Sequence, residues 1–300
     1  MELIKPNTNF DFVYYLKPAI AFSLALILIG LVSLWYRGGP NYGVDFVGGT
    51  VVHVKFTQPT AIADIRQALA TTNIAGGTVQ DFGQEGNEFL IRLPVAETET
   101  EDVAPKVQQG LVSKFGEQAF EVRRIETVGP KVGKDLQRKA LLAVTFSSLA
   151  MGIYVAVRFE PRFGIGAAVA LFHDVLITVG ALSLMNMEFD LTIIAALLTV
   201  VGFSVNDTVI VCDRIRENMR KMRREGLLNI INKSINETLS RTIITNGTAI
   251  LVVVVLYFLG GEVIHGFAFA LLVGFIVGTY SSIYVASPIV LLWEKSGQRA

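Results

Sequence analysis

The stretch LLTVVGFSVNDTVIVC, Leu197–Cys212, decides the fold. With the LTIIAA that precedes it, it forms an apolar run from Leu191 to Cys212, long enough to cross a hydrocarbon core that takes about 20 residues of helix. A single acid, Asp207, interrupts the run. Five other stretches have the same length and character: Pro18–Tyr36, Ala140–Val157, Phe163–Met187, Thr242–Gly261 and Gly266–Trp293. Over the 300 residues 52% are hydrophobic and 17% charged, and the mean hydropathy is +0.51. A chain this apolar has the bilayer as its solvent.

The short segments between these runs give an orientation. Arg158 and Arg162 lie between the second and third runs, and a cluster from Arg214 to Arg241 lies between the fourth and fifth. Segments rich in Lys and Arg stay cytoplasmic. The opposite connections hold Glu188, Asp190 and Glu262 without a basic residue. Both termini, 1–17 and 294–300, are therefore expected in the cytoplasm, and 38–139 outside it, since long segments cross largely regardless of charge. The first run is longer than a signal-peptide core and RGGPNYG after it offers no small-x-small cleavage site, so it reads as a retained anchor.

Residues 38–139 are of another kind. Thr50–Thr57 is β-branched and partly alternating, Thr60–Thr72 has helical spacing with Thr60 as its expected N-cap, and Gly77–Asp81 and Glu88–Leu93 flank a Gly- and Gln-rich turn. Asp102–Phe115 is again helical and Phe120–Thr127 strand-like. The order β-α-β-β-α-β predicts a ferredoxin-like α+β domain. The expected fold is thus a polytopic α-helical membrane protein of six transmembrane helices with one extracytoplasmic α+β domain. The stretch 213–241 is expected to lie as an amphipathic connector on anionic lipid.

Several polar residues stand inside the apolar runs. Asp207 lies five residues from the end of its run, roughly 8 Å deep at 1.5 Å per residue. An ionised carboxylate there costs about 2.5–3.5 kcal/mol on the insertion scale, so it requires a proton, a partner or water. Asn206 beside it can add a hydrogen bond between helices. Arg241 opens the next run from the same side, at a depth compatible with reaching Asp207, and Thr245 and Thr248 continue a stripe from it. Asp174, preceded by His173 and followed by Thr178, sits near the middle of the third run. Each acid reads either as a proton site or as polar glue between helices. In the last run Ala270, Gly274, Gly278, Ser282 and Ala286 form a ladder of small residues for close helix approach, within this bundle or against another subunit.

Other chemistry is not signalled. GPKVGKD at Gly129–Asp135 lacks the P-loop spacing, and neither a paired-His zinc motif nor G-x-S-x-G is present. The lone Cys212 builds no disulfide within the chain, and a formal net charge of zero gives no ground for a nucleic-acid partner.

GVDFVGG at Gly43–Gly49, FHDV at Phe172–Val175, VGFSVNDTVIVCDRIREN at Val201–Asn218 and SINETLSRTIITNGTAIL at Ser234–Leu251 together resemble the smaller, SecF-type branch of the SecD/SecF family of bacterial protein-export membrane proteins, itself similar to the resistance-nodulation-division transporters. The likeness extends over nearly the whole chain; Cys212 is a mild departure. It implies proton-driven assistance to late preprotein translocation in the cytoplasmic membrane, no enzyme activity and no cofactor or metal. It also implies SecD as partner, the Sec translocon channel (SecY, SecE, SecG) with YajC, and unfolded preprotein as substrate. The family's membrane carboxylate falls on Asp207 and its arginine on Arg241. The signature residues Gly43, Asp45, Phe46, Gly48 and Gly49 then mark where the outer domain leaves the membrane, or simply a turn into the first strand. The residues alone also admit half of a proton-coupled small-molecule exporter, or a scaffold that transports nothing.

Overall fold

The computed structural model describes residues 8–72, 78–82, 86–93 and 103–297. In chain order the elements are α1 (Leu16–Arg37), α2 (Val44–Val47), β1 (Gly49–Phe56), α3 (Ile62–Ala70), β2 (Thr78–Asp81), β3 (Glu88–Leu93), α4 (Val103–Phe115), β4 (Phe120–Val128), α5 (Pro130–Arg158), α6 (Pro161–Leu184), α7 (Leu191–Lys221), α8 (Leu227–Leu259), α9 (Glu262–Ser281), a π-turn (Ser282–Ala286) and α10 (Ser287–Gly297). Among the described residues six helical stretches are long and apolar enough to cross a membrane, the last running through α9, the π-turn and α10. The chain divides into two compact units, one made of Tyr42–Leu141 with Phe189–Leu191, the other of the helices. The ends of the expected terminal segments, 1–7 and 298–300, and part of the turn between β2 and β3 lie outside the described residues.

The first unit is a four-stranded antiparallel sheet in the order β2-β3-β1-β4, with α3 and α4 completing the ferredoxin-like pattern. Alternation along β1 turns Val52, Val54 and Phe56 to one face, where Phe89, Ile91 and Leu93 of β3 join Ile65, Leu69, Val107 and Leu111 of the two helices. Val54, Ile65, Ile91, Val107 and Leu111 are wholly buried, so this unit owns a core independent of the membrane. The N-cap of α3 is Ala61, not Thr60, whose hydroxyl donates to Gln58 O at 3.0 Å. Entry into β1 depends on glycine. Gly49 has φ +141°, and a Cβ there would stand 2.5 Å from Leu93 O.

In the helical unit, glycines set the closest crossings. A Cβ on Gly30 of α1 would come 2.8 Å from the Gly180 Cα of α6, the close approach that small residues permit in hydrocarbon. The ladder of the last span faces α7: a Cβ on Gly274 would strike Val200, and one on Gly278 would meet Ser204 Cβ at 3.0 Å. It therefore serves this chain's own bundle. Outward-facing Leu251, Val252, Phe258 and Leu259 on α8 are exposed, as a lipid-facing helix requires.

Three helices outrun the apolar stretches. α5 begins at Pro130, α7 runs on to Lys221 and α8 starts at Leu227. The expected surface connector 213–241 is thus the continuation of two helices joined by a short turn. Good helix formers extend both, and Arg214 ties them by an ion pair to Glu237 at 2.8 Å while Lys221 pairs with Glu217 one turn back. The π-turn has a local cause in Pro288. It lacks the N–H that would bond to the Tyr284 carbonyl and its ring crowds that carbonyl, so the turn before it widens.

Two substitutions test this packing. Gly49→Ala is expected to destabilise the α+β unit by about 1–3 kcal/mol through its strained φ, read as faster hydrogen exchange in β1 of the purified protein. Gly30→Val should overpack the α1–α6 crossing by about 1–3 kcal/mol, lowering the melting temperature in detergent while leaving exchange in β1 unchanged.

Candidate functional site

Asp207 is 3% exposed, and hydroxyls from two other spans hold its carboxylate. Thr242 Oγ1 of α8 donates to Oδ1 at 2.7 Å, and Ser282 Oγ, the first residue of the π-turn, donates to Oδ2 at 2.6 Å. Asn246, one turn further along α8, donates from Nδ2 to Thr279 Oγ1 at 2.8 Å. Thr238, Thr242 and Asn246 are all buried and recur every four residues, so they form the polar stripe of α8 that faces α7.

That stripe lies one residue off the expected one. Because Thr242 points at Asp207, its neighbour Arg241, turned about 100° round the helix, cannot. Arg241 is exposed and makes no ion pair with Asp207. Instead it lines an open cavity of about 510 Å³ with Arg158, Asp213, Arg214, Glu237 and Thr238. Thr238 links this cavity to Thr242, one helical turn on. Thr245 is only half-buried, the Thr248 hydroxyl is spent on Thr245 O, and Asn206 is exposed. The residues found in their place are Thr242 and Ser282.

Asp174 of α6 is fully buried. Its Oδ2 accepts from Ser204 of α7 at 2.5 Å and from Ser281 of α9 at 2.8 Å, while Oδ1 lies 2.9 Å from His173 Nδ1. From the other ring nitrogen a chain runs outward: His173 Nε2 to Ser23 Oγ at 3.0 Å, Ser23 to Tyr280 Oη at 3.0 Å, and Tyr280 to the Ala19 carbonyl at 2.6 Å. A carbonyl only accepts, so Tyr280 donates to Ala19 and must accept from Ser23. Ser23 has then no proton left for His173, and Nε2 is the donor. One proton therefore lies between Nδ1 and Asp174 Oδ1, and the pair is neutral as a whole whichever atom holds it.

Consecutive residues Ser281 and Ser282 thus serve two carboxylates on two helices. Each also has a backbone carbonyl in reach, Gly278 O at 3.2 Å and Thr279 O at 2.9 Å. A hydroxyl with two acceptors can donate to an ionised carboxylate, or turn to the carbonyl and accept from a protonated one. Ser282 already stood in the small-residue ladder and Thr242 next to Arg241, but nothing in their spacing separates a packing hydroxyl from a carboxylate partner.

The signature segment lies in the other unit. Phe46 is buried there, and Gly48 and Gly49 have φ of +83° and +141°.

Residues 107–296 match the family model described as "Protein export membrane protein SecD/SecF, C-terminal", and residues 38–60 match the SecD/SecF GG motif. A protein of Desulfurispirillum indicum named protein translocase subunit SecF is 46% identical over 92% of this chain and 89% of its own length. One of the same name from Magnetococcus marinus is 47% identical over 100% of this chain and 96% of its own. The crystal structure of SecDF, a translocon-associated membrane protein from Thermus thermophilus, superposes with a TM-score of 0.84 at 37% identity, over 98% of this chain. This chain spans 40% of the length of that one. A second SecDF structure, in a super-membrane-facing form, superposes at 0.69. With its six apolar helices and α+β unit, the chain belongs to the SecD/SecF family of protein-export membrane proteins.

Proposed function

We propose that this chain works with SecD, beside the Sec channel of SecY, SecE and SecG and with YajC, to turn a transmembrane proton gradient into late-stage movement of an unfolded preprotein. Asp207 is the group that takes up and releases the proton. The observation that carries this reading is the set of partners Asp207 has. Its hydrogen-bond partners among the described residues are hydroxyls with no cation among them, and Ser282 has a carbonyl to turn to, so both the neutral and the charged carboxyl are accommodated. Asp174 differs, because His173 shares its proton and the neutral pair keeps its charge state. It belongs to the path as the fixed neighbour that positions Ser281 and, through it, Ser282.

The basic residues around α7 and α8 support a cytoplasmic placing of the cavity that Arg241 lines, with both termini on that side and the α+β unit outside. The cavity then brings water to within one turn of Thr242. Its lining sets three arginines, Arg158, Arg214 and Arg241, against three acids, Asp213, Glu217 and Glu237, so the cavity is formally neutral and Arg241 acts on the carboxylate only at a distance. A proton crossing the membrane supplies about 2.3 kcal/mol per 100 mV, enough to bias two helix arrangements that differ by a few kcal/mol. Release and uptake at Asp207 would alternate them, and the outer unit would hold or free the emerging chain.

Asp207→Asn fills the same space and cannot titrate. In membrane vesicles holding normal amounts of the variant, the gradient-dependent increment of preprotein export is expected to fall roughly tenfold or more, since a step worth about 2.3 kcal/mol is removed, while ATP-dependent export persists. Unchanged gradient-driven export would end the proton reading in favour of a scaffold. A drug-sensitivity phenotype with normal secretion would point to small-molecule export. Asp174→Asn, by contrast, breaks the shared proton with His173 and is expected to lower the amount of folded protein, read as a lower melting temperature in detergent.

A further inference from the structure

The acid of the GVDFVGG segment has a partner of its own. Asp45 Oδ2 accepts the backbone N–H of Leu191 at 3.0 Å, across 146 residues of chain. Leu191 is the first residue of α7, whose leading N–H groups have no partner within the helix. A carboxylate at that end also meets the positive pole of the helix. An acid from a distant element is thus serving as a cap on the helix that carries Asp207.

The same segment is held on every side. Gly43 N–H donates to Phe189 O at 2.7 Å, and Tyr42 and Phe189 pair as a short parallel bridge. On the other flank Gln137 Nε2 of α5 donates to Phe46 O at 3.1 Å, and Gly133 passes so close that a Cβ there would sit 2.6 Å from that oxygen. Gly48 and Gly49, both at positive φ, turn the backbone into β1, where Gly49 pairs with Val128 of β4. These contacts all fall inside one compact unit, which includes Phe189–Leu191. The segment therefore gathers the start of α7, the start of α5 and the root of the sheet.

We propose that Asp45 is a positioning residue for the proton-driven reaction, the link that makes the first turn of α7 part of the α+β unit, so that movement of α7 at Asp207 is delivered to the outer domain. This rests on Asp207 being the proton site. Asp207 lies about 24 Å along the same continuous helix, and a rod of that kind carries displacement from one end to the other. Asp45 is half-buried and its bond is single, so the link holds in position without welding the parts together. The bland role of the motif, a turn into β1, is filled by Gly48 and Gly49 and does not require an acid.

The test uses the full chain with its native partners in membrane vesicles. In Asp45→Ala, amide exchange at Leu191 is expected to speed up about fivefold, the factor a lost cap gives. Gradient-driven export should be lost with ATP-dependent export intact. Asp45→Asn keeps an oxygen that can accept the same N–H and should retain both properties. Wild-type export by Asp45→Ala, in preparations where Asp207→Asn is defective, overturns the link and leaves the proton reading standing; normal export by Asp207→Asn overturns that reading instead. Loss of export in Asp45→Asn with slow exchange at Leu191 also overturns the link, because charge and not capping would then matter. If Asp45→Ala does not accumulate, the double variant Asp45→Cys, Leu191→Cys keeps the proposal open to failure. Its export should be poor when reduced and restored by oxidation, and a defect in both states refutes the link.

Discussion

A carboxyl group inside an apolar layer has to be satisfied in each charge state it adopts, and Asp207 meets that condition through hydroxyl oxygens. A bonded arginine would hold the acid ionised; a wholly apolar surround would hold it neutral. Thr242 and Ser282 do neither, since a hydroxyl both donates and accepts. Much of the bundle follows from bringing those two oxygens to one place. The last span can bring Ser282 to α7 only because Gly278 and Gly274 let the backbones close up on Ser204 and Val200. Pro288 then opens the π-turn at Ser282, which leaves carbonyls near the site without their regular helical partners.

The contrast with Asp174 explains why two buried acids in one bundle need not do the same work. Asp174 has a histidine, two serines and a chain of donors that ends on the Ala19 carbonyl, and the direction of that chain fixes a single proton on the pair. The network ties α1, α6, α7 and α9 together, a use for which full satisfaction is required, since one missing donor would leave a buried polar atom unpaired. Asp207 has no such base among its hydrogen-bond partners, only the hydroxyls of Thr242 and Ser282.

The architecture was legible from the sequence because the bilayer imposes long unbroken apolar runs and because strands and helices of the α+β unit alternate at their natural periods. Asp207 and Asp174 were legible for the same reason: an acid in such a run is conspicuous. Their partners were not. Thr242 is adjacent to Arg241, and a one-residue offset on a helix turns a side chain about 100°, so choosing the charged residue as the partner chose the wrong face. Asn206, next in sequence to Asp207, fails for the same geometric cause. Ser282 looked like one more small residue in a packing ladder, and its role, like that of its neighbour Ser281, depends on which helix lies opposite. The helical ends beyond the bilayer were missed because charged residues such as Arg214, Glu217 and Lys221 read as a surface connector, whereas they form ion pairs that continue α7 and bind it to α8.

The α+β unit has a closed core, with Val54, Ile65, Ile91 and Leu111 sealed among their own neighbours. Such a core resists gradual deformation; interiors packed to this density shift as bodies or not at all. Work done on the unit by a change elsewhere therefore has to enter where its backbone is anchored. The anchor is the glycine-rich segment from Gly43 to Gly49, whose positive-φ residues set the direction of β1 and which is tied to its neighbours by backbone bonds and by its own Asp45 carboxylate. Side chains at Gly49 or Gly133 would collide with carbonyl oxygens and part the strands from the helix ends they meet. The glycines are thus a condition of close attachment between this segment, β1 and the first turn of α5.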